Sequence, residues 1–484
     1  MQSAFGEWAP DRPSTGKGGL RTAKNVIPRE QSYAPLKALV ESSDVTTARP
    51  LGAISIRDKA GSVHTYTGDS TKLYELSSSL TWTDRSKVGG YGPATTTTRW
   101  NFCQYGDRIV ATNLLDAIQY IDASTGTAFA NLAGSPPKAQ FVTAFQQFLI
   151  LAATETSKFT LRWSEIGNSE GWSTSLNQGG EEEFADGGEI TGLASTDALY
   201  IFQEFCIRRA TYVGGDIVFQ FDVVERLRGC IAPGSIVQVG RMIFYQAQDG
   251  FFMFDGEQSQ PIGGERVNRF FMDDLDRSNA GRITGAGDVL NSIVVWSYPS
   301  TDAVDGAPDT LLIYNWVVNR WSYAKAAVEA LFTYLSAGYS LEALDAIFGD
   351  LDSVPVSLDD LSLAGGALSL GAMTPTKALA TFSGDNTEAT LVTDDIPVGD
   401  DLVGLVRACR PVVDASSAYV KMGKRFRLTD AVSWTSEAGL SSATGRCPLR
   451  ATGRYMRVSL RIPAAATWTK AEGFELDVEI EGAR

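Results

Sequence analysis

Met242 to Phe254 reads MIFYQAQDGFFMF, an apolar run, the polar stretch Gln248-Asp249-Gly250, and a second apolar run rich in phenylalanine. Asp-Gly between two apolar stretches is the strongest short-range mark of a β-hairpin, because a type I′ turn needs positive φ at both central positions. The same unit recurs to either side. On the N-terminal side stand HTYTGDSTKLYEL (His64 to Leu76), RIVATNLLDAIQYI (Arg108 to Ile121), FLILAATETSKFTLRW (Phe148 to Trp163) and LYIFQEFCIRRATYV (Leu199 to Val213). On the C-terminal side, Ile293 to Tyr298 pairs with Leu311 to Trp316 across the polar loop Pro299 to Thr310.

The units follow one another about every 40 to 50 residues, the period of four-stranded propeller blades. One twisted four-stranded sheet cannot bury both faces, but sheets packed radially can, and circular closure leaves only short edges. The expected fold is therefore all-β: an irregular β-propeller of about six blades, with a C-terminal β-sandwich. Residues 1–50 read as an N-terminal extended segment, 51–384 as the propeller and 385–484 as the sandwich, the boundary falling in the polar stretch Phe382 to Thr390.

Helical signal is scarce. Ala326 to Ala337 (AAVEALFTYLSA) has spacing that suits a short helix or two buried strand pieces, and Leu351 to Met373 reads as an extended excursion from the last blade. In the C-terminal part, Leu405 to Val413, Ala418 to Phe426, Tyr455 to Ile462 and Phe474 to Ile480 are strands. Arg454, Arg457 and Arg461 alternate there with apolar residues, one face to a core and one to solvent or a partner. These strands read as a small sandwich, stable alone.

Composition narrows the function. With 484 residues, 44% of them hydrophobic and 20% charged, the chain is ordinary globular protein of more than one core. Its net charge of −15 is wrong for a protein that grips nucleic acid but suits the wall of a passage, which leaves a polyanion mobile. The five cysteines (Cys103, Cys206, Cys230, Cys409, Cys447) are scattered, without CxxC or nearby histidine, and read as free buried thiols. No apolar run has membrane-spanning length, and Glu7 and Asp11 fall where a signal peptide would be apolar.

Signatures of reactive groups are sparse. His64 is the only histidine, which removes His-cluster metal sites and most His-dependent triads, and its place on an alternating strand gives it a structural role. There is no GxSxG elbow, Walker loop or HExxH, and Gly285-Ala286-Gly287 lacks the rest of a dinucleotide fingerprint. Asp302, Asp305 and Asp309 around Gly306 do not have EF-hand spacing. Neither metal nor cofactor is expected. Acid pairs for glycoside hydrolysis could come from Glu181-Glu182-Glu183, Asp186, Asp273-Asp274 or Asp359-Asp360, but these are acidic runs in polar or Gly-rich segments, where solvated loops are the simpler reading. The Asp-box repeat of sialidase-like propellers is missing, as are the Gly-His and Trp-Asp marks of WD blades.

The segment Arg228 to Leu275 resembles the central signature of the packaged-DNA stabilisation or tail-nozzle proteins of short-tailed bacteriophages. The matching residues are Gly229-Cys230-Ile231-Ala232-Pro233-Gly234-Ser235-Ile236-Val237, Phe244, Asp249-Gly250, Phe254-Asp255-Gly256, Pro261-Ile262-Gly263 and Val267. In the same order as in that family stand Asn25-Val26-Ile27-Pro28 with Tyr33, Pro35 and Leu36; Arg162-Trp163-Ser164 with Gly171-Trp172; Asn319-Arg320-Trp321-Ser322; and Gly453-Arg454-Tyr455-Met456-Arg457-Val458. The likeness is one of pattern over most of the chain; the Glu181 to Glu183 loop and Pro299 to Gly306 have no counterpart.

The resemblance implies a non-enzymatic virion protein of the phage tail, assembled in the host cytoplasm as a homohexameric ring below the portal and adaptor. Such a ring continues the DNA channel, helps retain the packaged genome without binding it specifically, and docks needle, spike or fibre proteins; it needs no membrane. The acidic loop Glu181, Glu182, Glu183 and Asp186 is the candidate for lining that channel. The competing expectation is a phage-borne propeller that hydrolyses or binds glycans.

Overall fold

In the computed structural model, residues 2–14, 18–92, 94–95, 97–174, 176–215, 217–336, 344–345, 349–354, 366, 368–399 and 402–483 are described. Among them, seven four-stranded antiparallel units stand side by side in a closed ring. Six follow the chain directly, at 52–84, 101–131, 139–183, 190–226, 237–261 and 284–325. The seventh takes three strands from Ala330–Leu335, Leu368–Met373 and Ala378–Thr381, and its outermost strand from Val40–Val45 near the N-terminus. The first strand of each blade lies innermost, and the inner strand Ala330–Leu335 meets Gly52–Arg57 to close the circle. The fold is a β-propeller, with one blade more than the hairpin count suggests.

Each hairpin read from the sequence is the middle pair of a blade. In the sixth blade Ile293–Tyr298 pairs in register with Thr310–Asn315, so that Val294 lies opposite Tyr314 and Val295 opposite Ile313. Every residue of both strands is buried, because the blade packs on both sides. Val294, Trp296, Leu312 and Tyr314 join the cluster shared with the fifth blade, and Ile293, Val295, Leu311 and Ile313 join that shared with the seventh. Alternation is still period two, but both phases are apolar, which is why such strands read as continuous runs. A separate apolar cluster fills each of the seven gaps between neighbouring blades.

Tryptophans pin several gaps. The indole N–H of Trp100 donates to the Asp69 carbonyl of the preceding blade at 2.8 Å, and those of Trp296 and Trp321 donate to the Ser235 and Ile262 carbonyls flanking the fifth blade at 2.9 Å each. Gly68 is required beneath Trp100, because a Cβ there would lie 2.4 Å from the indole ring. The Asp249-Gly250 hairpin also differs from a simple type I′ turn. Ala247 pairs with Gly250, so the two loop residues are Gln248 and Asp249, and Gly250 opens the next strand at φ +132°.

Ala326 to Ala337, which suits either a helix or strand pieces, supplies the inner strand Ala330–Leu335. Asn268–Asp274 forms a short α-helix. Most of the excursion 351–373, including Asp359 and Asp360, lies outside the described residues. Gly285-Ala286-Gly287 sits on the inner strand of the sixth blade, where Cβ atoms on the two glycines would come within 2.6 Å of Val237 and Val239.

The C-terminal strands Leu402–Val413, Tyr419–Arg425, Tyr455–Ile462 and Ala471–Ala483 match those read from the sequence. They do not form a sandwich of their own. Gln2–Ala4 and Tyr33–Pro35 pair with Ala471–Ala483, while Leu20–Lys24 lies between Ala389–Thr393 and Arg320–Lys325, the outer strand of the sixth blade. One sandwich sheet is thus continuous with a propeller blade, and the apolar cluster runs from Phe251, Trp296 and Trp321 through Trp8 and Phe5 to Val420, Met422 and Phe474. The segment 1–50 is woven through both parts, and the sandwich shares its sheets and core with the propeller.

Candidate functional site

The acidic residues singled out in the sequence are not in loops at the axis. Gly180–Glu183 is the outermost strand of the third blade, pairing with Thr160–Trp163. Glu181 is bound by Arg162 at 2.5 Å, Glu183 accepts from the Ser157 hydroxyl at 2.9 Å, and Asp186, in the following turn, is bound by Arg208. Charged side chains on an outer strand block edge-to-edge pairing with another sheet. Asp309 is likewise used locally, accepting from Ser300 N at 2.9 Å and Ser300 Oγ at 2.8 Å and facing Lys325. Asp274 accepts from the Tyr298 hydroxyl at 2.9 Å. Arg457 and Arg461 serve the chain itself: Arg457 holds buried Asp395 at 2.8 Å together with Arg425, and Arg461 holds Glu437 and Glu388 while lying over the Tyr419 ring.

Two clusters of charge mark opposite ends of the ring. At the end where the inner strands begin, Arg49, Arg99, Arg282 and Glu329 each stand just before an inner strand, in the first, second, sixth and seventh blades. Glu329, 1% exposed, receives Arg282 at 2.5 Å and Arg49 at 2.9 Å, while Arg99 donates to the Glu329 and Gly281 carbonyls at 3.4 Å. Burial pushes the Arg99 guanidinium down to about 10, Glu329 opposing and Arg49 and Arg282 adding to the effect. Three blades, including the two that meet at closure, are therefore tied through one carboxylate, and the second joins them through the Glu329 backbone carbonyl.

At the other end, the turns of the first three blades border a groove of about 480 Å³. Arg108 stands at its centre, donating to Asp122 at 3.0 Å, Glu170 at 2.7 Å and the Ser169 hydroxyl at 3.0 Å while lying over the Tyr120 ring. Lys59 and Asp107 pair at 3.4 Å beside it. A hydrogen bond from Ser124 holds the Asp107 carboxyl below its ordinary value, with slight burial opposing and Lys59 assisting. Next to Lys59, His64 lies between Glu75 (2.8 Å) and Asp58 (3.3 Å), and Arg85 holds the far oxygen of Glu75 at 2.7 Å. The Glu75 bond raises the imidazole above its ordinary value against the cost of burial, and Asp58 adds to it. Both ring nitrogens face acceptors, an arrangement for a fixed imidazolium and not for a proton shuttle.

None of the groove was singled out from the sequence, because its residues are turn and strand-end residues of three separate blades. The closing cluster had a usable signal: a charged residue recurring one to three positions before an inner strand.

No protein-family model and no curated protein matches the chain. Among solved structures, it is similar to BamB from Moraxella catarrhalis (12% identity over 74% of this chain and 92% of that one, TM-score 0.37). It is also similar to the computationally designed Ika8 protein (11% identity, 74% and 95%, TM-score 0.38) and to virginiamycin B lyase from Staphylococcus aureus (12% identity, 71% and 98%, TM-score 0.38).

Proposed function

We propose that this chain is a structural ring subunit of a short-tailed bacteriophage tail, a nozzle that extends the DNA channel, helps retain the packaged genome and docks other tail parts. The observation that carries this reading is the fusion of propeller and sandwich. A continuous sheet through Leu20–Lys24 and a shared core make one stiff body, as a part that transmits force between neighbours requires. The central segment of the resemblance, Arg228 to Leu275, covers the fifth blade, the loop before it and the helix Asn268–Asp274, where Phe251 and Phe271 pack on Trp296 and Tyr298. In a ring of such bodies the outer strand bearing Glu181, Glu182 and Glu183, with Asp186, faces the channel and keeps DNA off the wall.

Electron microscopy of phage particles carrying a tagged copy of this chain tests the reading. The tag is expected in a six-fold ring directly below the portal and adaptor. A tag elsewhere in the particle, or its absence from purified particles, overturns the proposal.

A further inference from the structure

We infer that the groove between the second and third blades is a binding site for a neutral saccharide. The inference goes beyond the tail-ring reading and does not depend on it. A volume of about 480 Å³ lies within the roughly 300–1,000 Å³ range of small-ligand sites, and the lining is hydroxyl, amide, carboxylate and cation almost throughout. An apolar ligand would strip these groups of water without replacing their hydrogen bonds; a polyhydroxylated one replaces them.

Charge narrows the class. Asp107, Asp122 and Glu170 stand against Lys59 and Arg108, and both cations are already engaged by those same acids. An anionic sugar or a phosphate would therefore meet excess negative charge. The acids are held ready: Arg108 engages one oxygen of Asp122 and one of Glu170, leaving each a second oxygen able to accept from a sugar hydroxyl. Tyr105 lines the groove beside them, an aromatic ring of the kind on which a pyranose can stack. It packs on the apolar cluster between these two blades and is pinned by its hydroxyl, which donates to the Gln147 carbonyl at 2.8 Å. The Arg108 guanidinium lies between Asp122 and Glu170, where a bond to be cleaved would have to sit, so the site is one for binding and not for hydrolysis.

Saturation-transfer NMR on the full chain with glucose, galactose, mannose, N-acetylglucosamine and their common disaccharides tests this, with N-acetylneuraminic acid as the anionic control. At least one neutral sugar is expected to bind at millimolar concentration, the anionic one is not, and Glu170→Gln or Tyr105→Ala is expected to weaken binding tenfold or more. Glu182→Gln, on the distant outer strand, should leave it unchanged. Near-UV circular dichroism confirms that each variant is folded, and if Tyr105→Ala is not, Glu170→Gln alone decides. The inference is overturned if no neutral sugar binds, if the anionic sugar is preferred, or if binding survives both folded variants.

Discussion

The two ends of the ring use the same chemistry in different surroundings. At one, Arg282 and Glu329 are 9% and 1% exposed; at the other, Arg108, Asp122 and Glu170 are 29%, 41% and 36% exposed. A buried carboxylate that neutralises guanidiniums cannot be removed without leaving those charges stranded, whereas an exposed one is exchanged for water. What separates a clasp from an open binding surface here is burial, not residue type.

Glu329→Ala is the sharpest way to break this contrast. It leaves Arg49 and Arg282 without their shared anion, beside the buried Arg99 charge, and should cost about 3–5 kcal/mol in chemical denaturation; a loss similar to that at the exposed end would erase the distinction. His64 stands between the extremes, and His64→Ala should cost about 1.5 kcal/mol at pH 6 through its charge-assisted bonds. Because the folded imidazole titrates above its ordinary 6.5, that contribution is complete below pH 6.5 and fades as pH rises through the folded-state value. The lone histidine gives a single Hε1 resonance, and an NMR titration midpoint at or below 6.5 would contradict the two-carboxylate arrangement. Arg108→Ala, at the exposed end, should cost less than about 1 kcal/mol by the same denaturation measurement. The smallest effect is expected at the outer strand, where Glu182→Gln should change the unfolding free energy by no more than about 0.5 kcal/mol.

The contrast also explains what could be read in advance. Blade middles such as Met242–Ala247 with Gly250–Phe254 are local hairpins, so turn chemistry and apolar runs reveal them. The seventh blade was missed because its outer strand, Val40–Val45, is exposed and polar and finds its partner at Ala378–Thr381, beyond the reach of any local pattern. The sandwich strands were legible, but not the threading of Gln2–Ala4, Leu20–Lys24 and Tyr33–Pro35 among them. Glu181 to Glu183 reads as a loop because acidic residues avoid strands in general, yet an outermost strand is where they are tolerated. The groove had no linear signature at all: Lys59, Asp107 and Glu170 become neighbours only once three blades stand in order.

The borrowed outer strand gives assembly of the molecule a clock. Ser43 must receive the Leu379 amide, 336 residues away, so at synthesis rates of roughly 5–20 residues per second the early segment, held meanwhile only by the Leu80 and Trp82 turn of the first blade, waits roughly 20–70 s for its strand partner. During that interval the nascent chain can stack its first six wedges but cannot seal them, and its acidic, serine-rich composition from Val40 to Val45 (VESSDV) suits a stretch that must remain dissolved until its partner emerges from the ribosome.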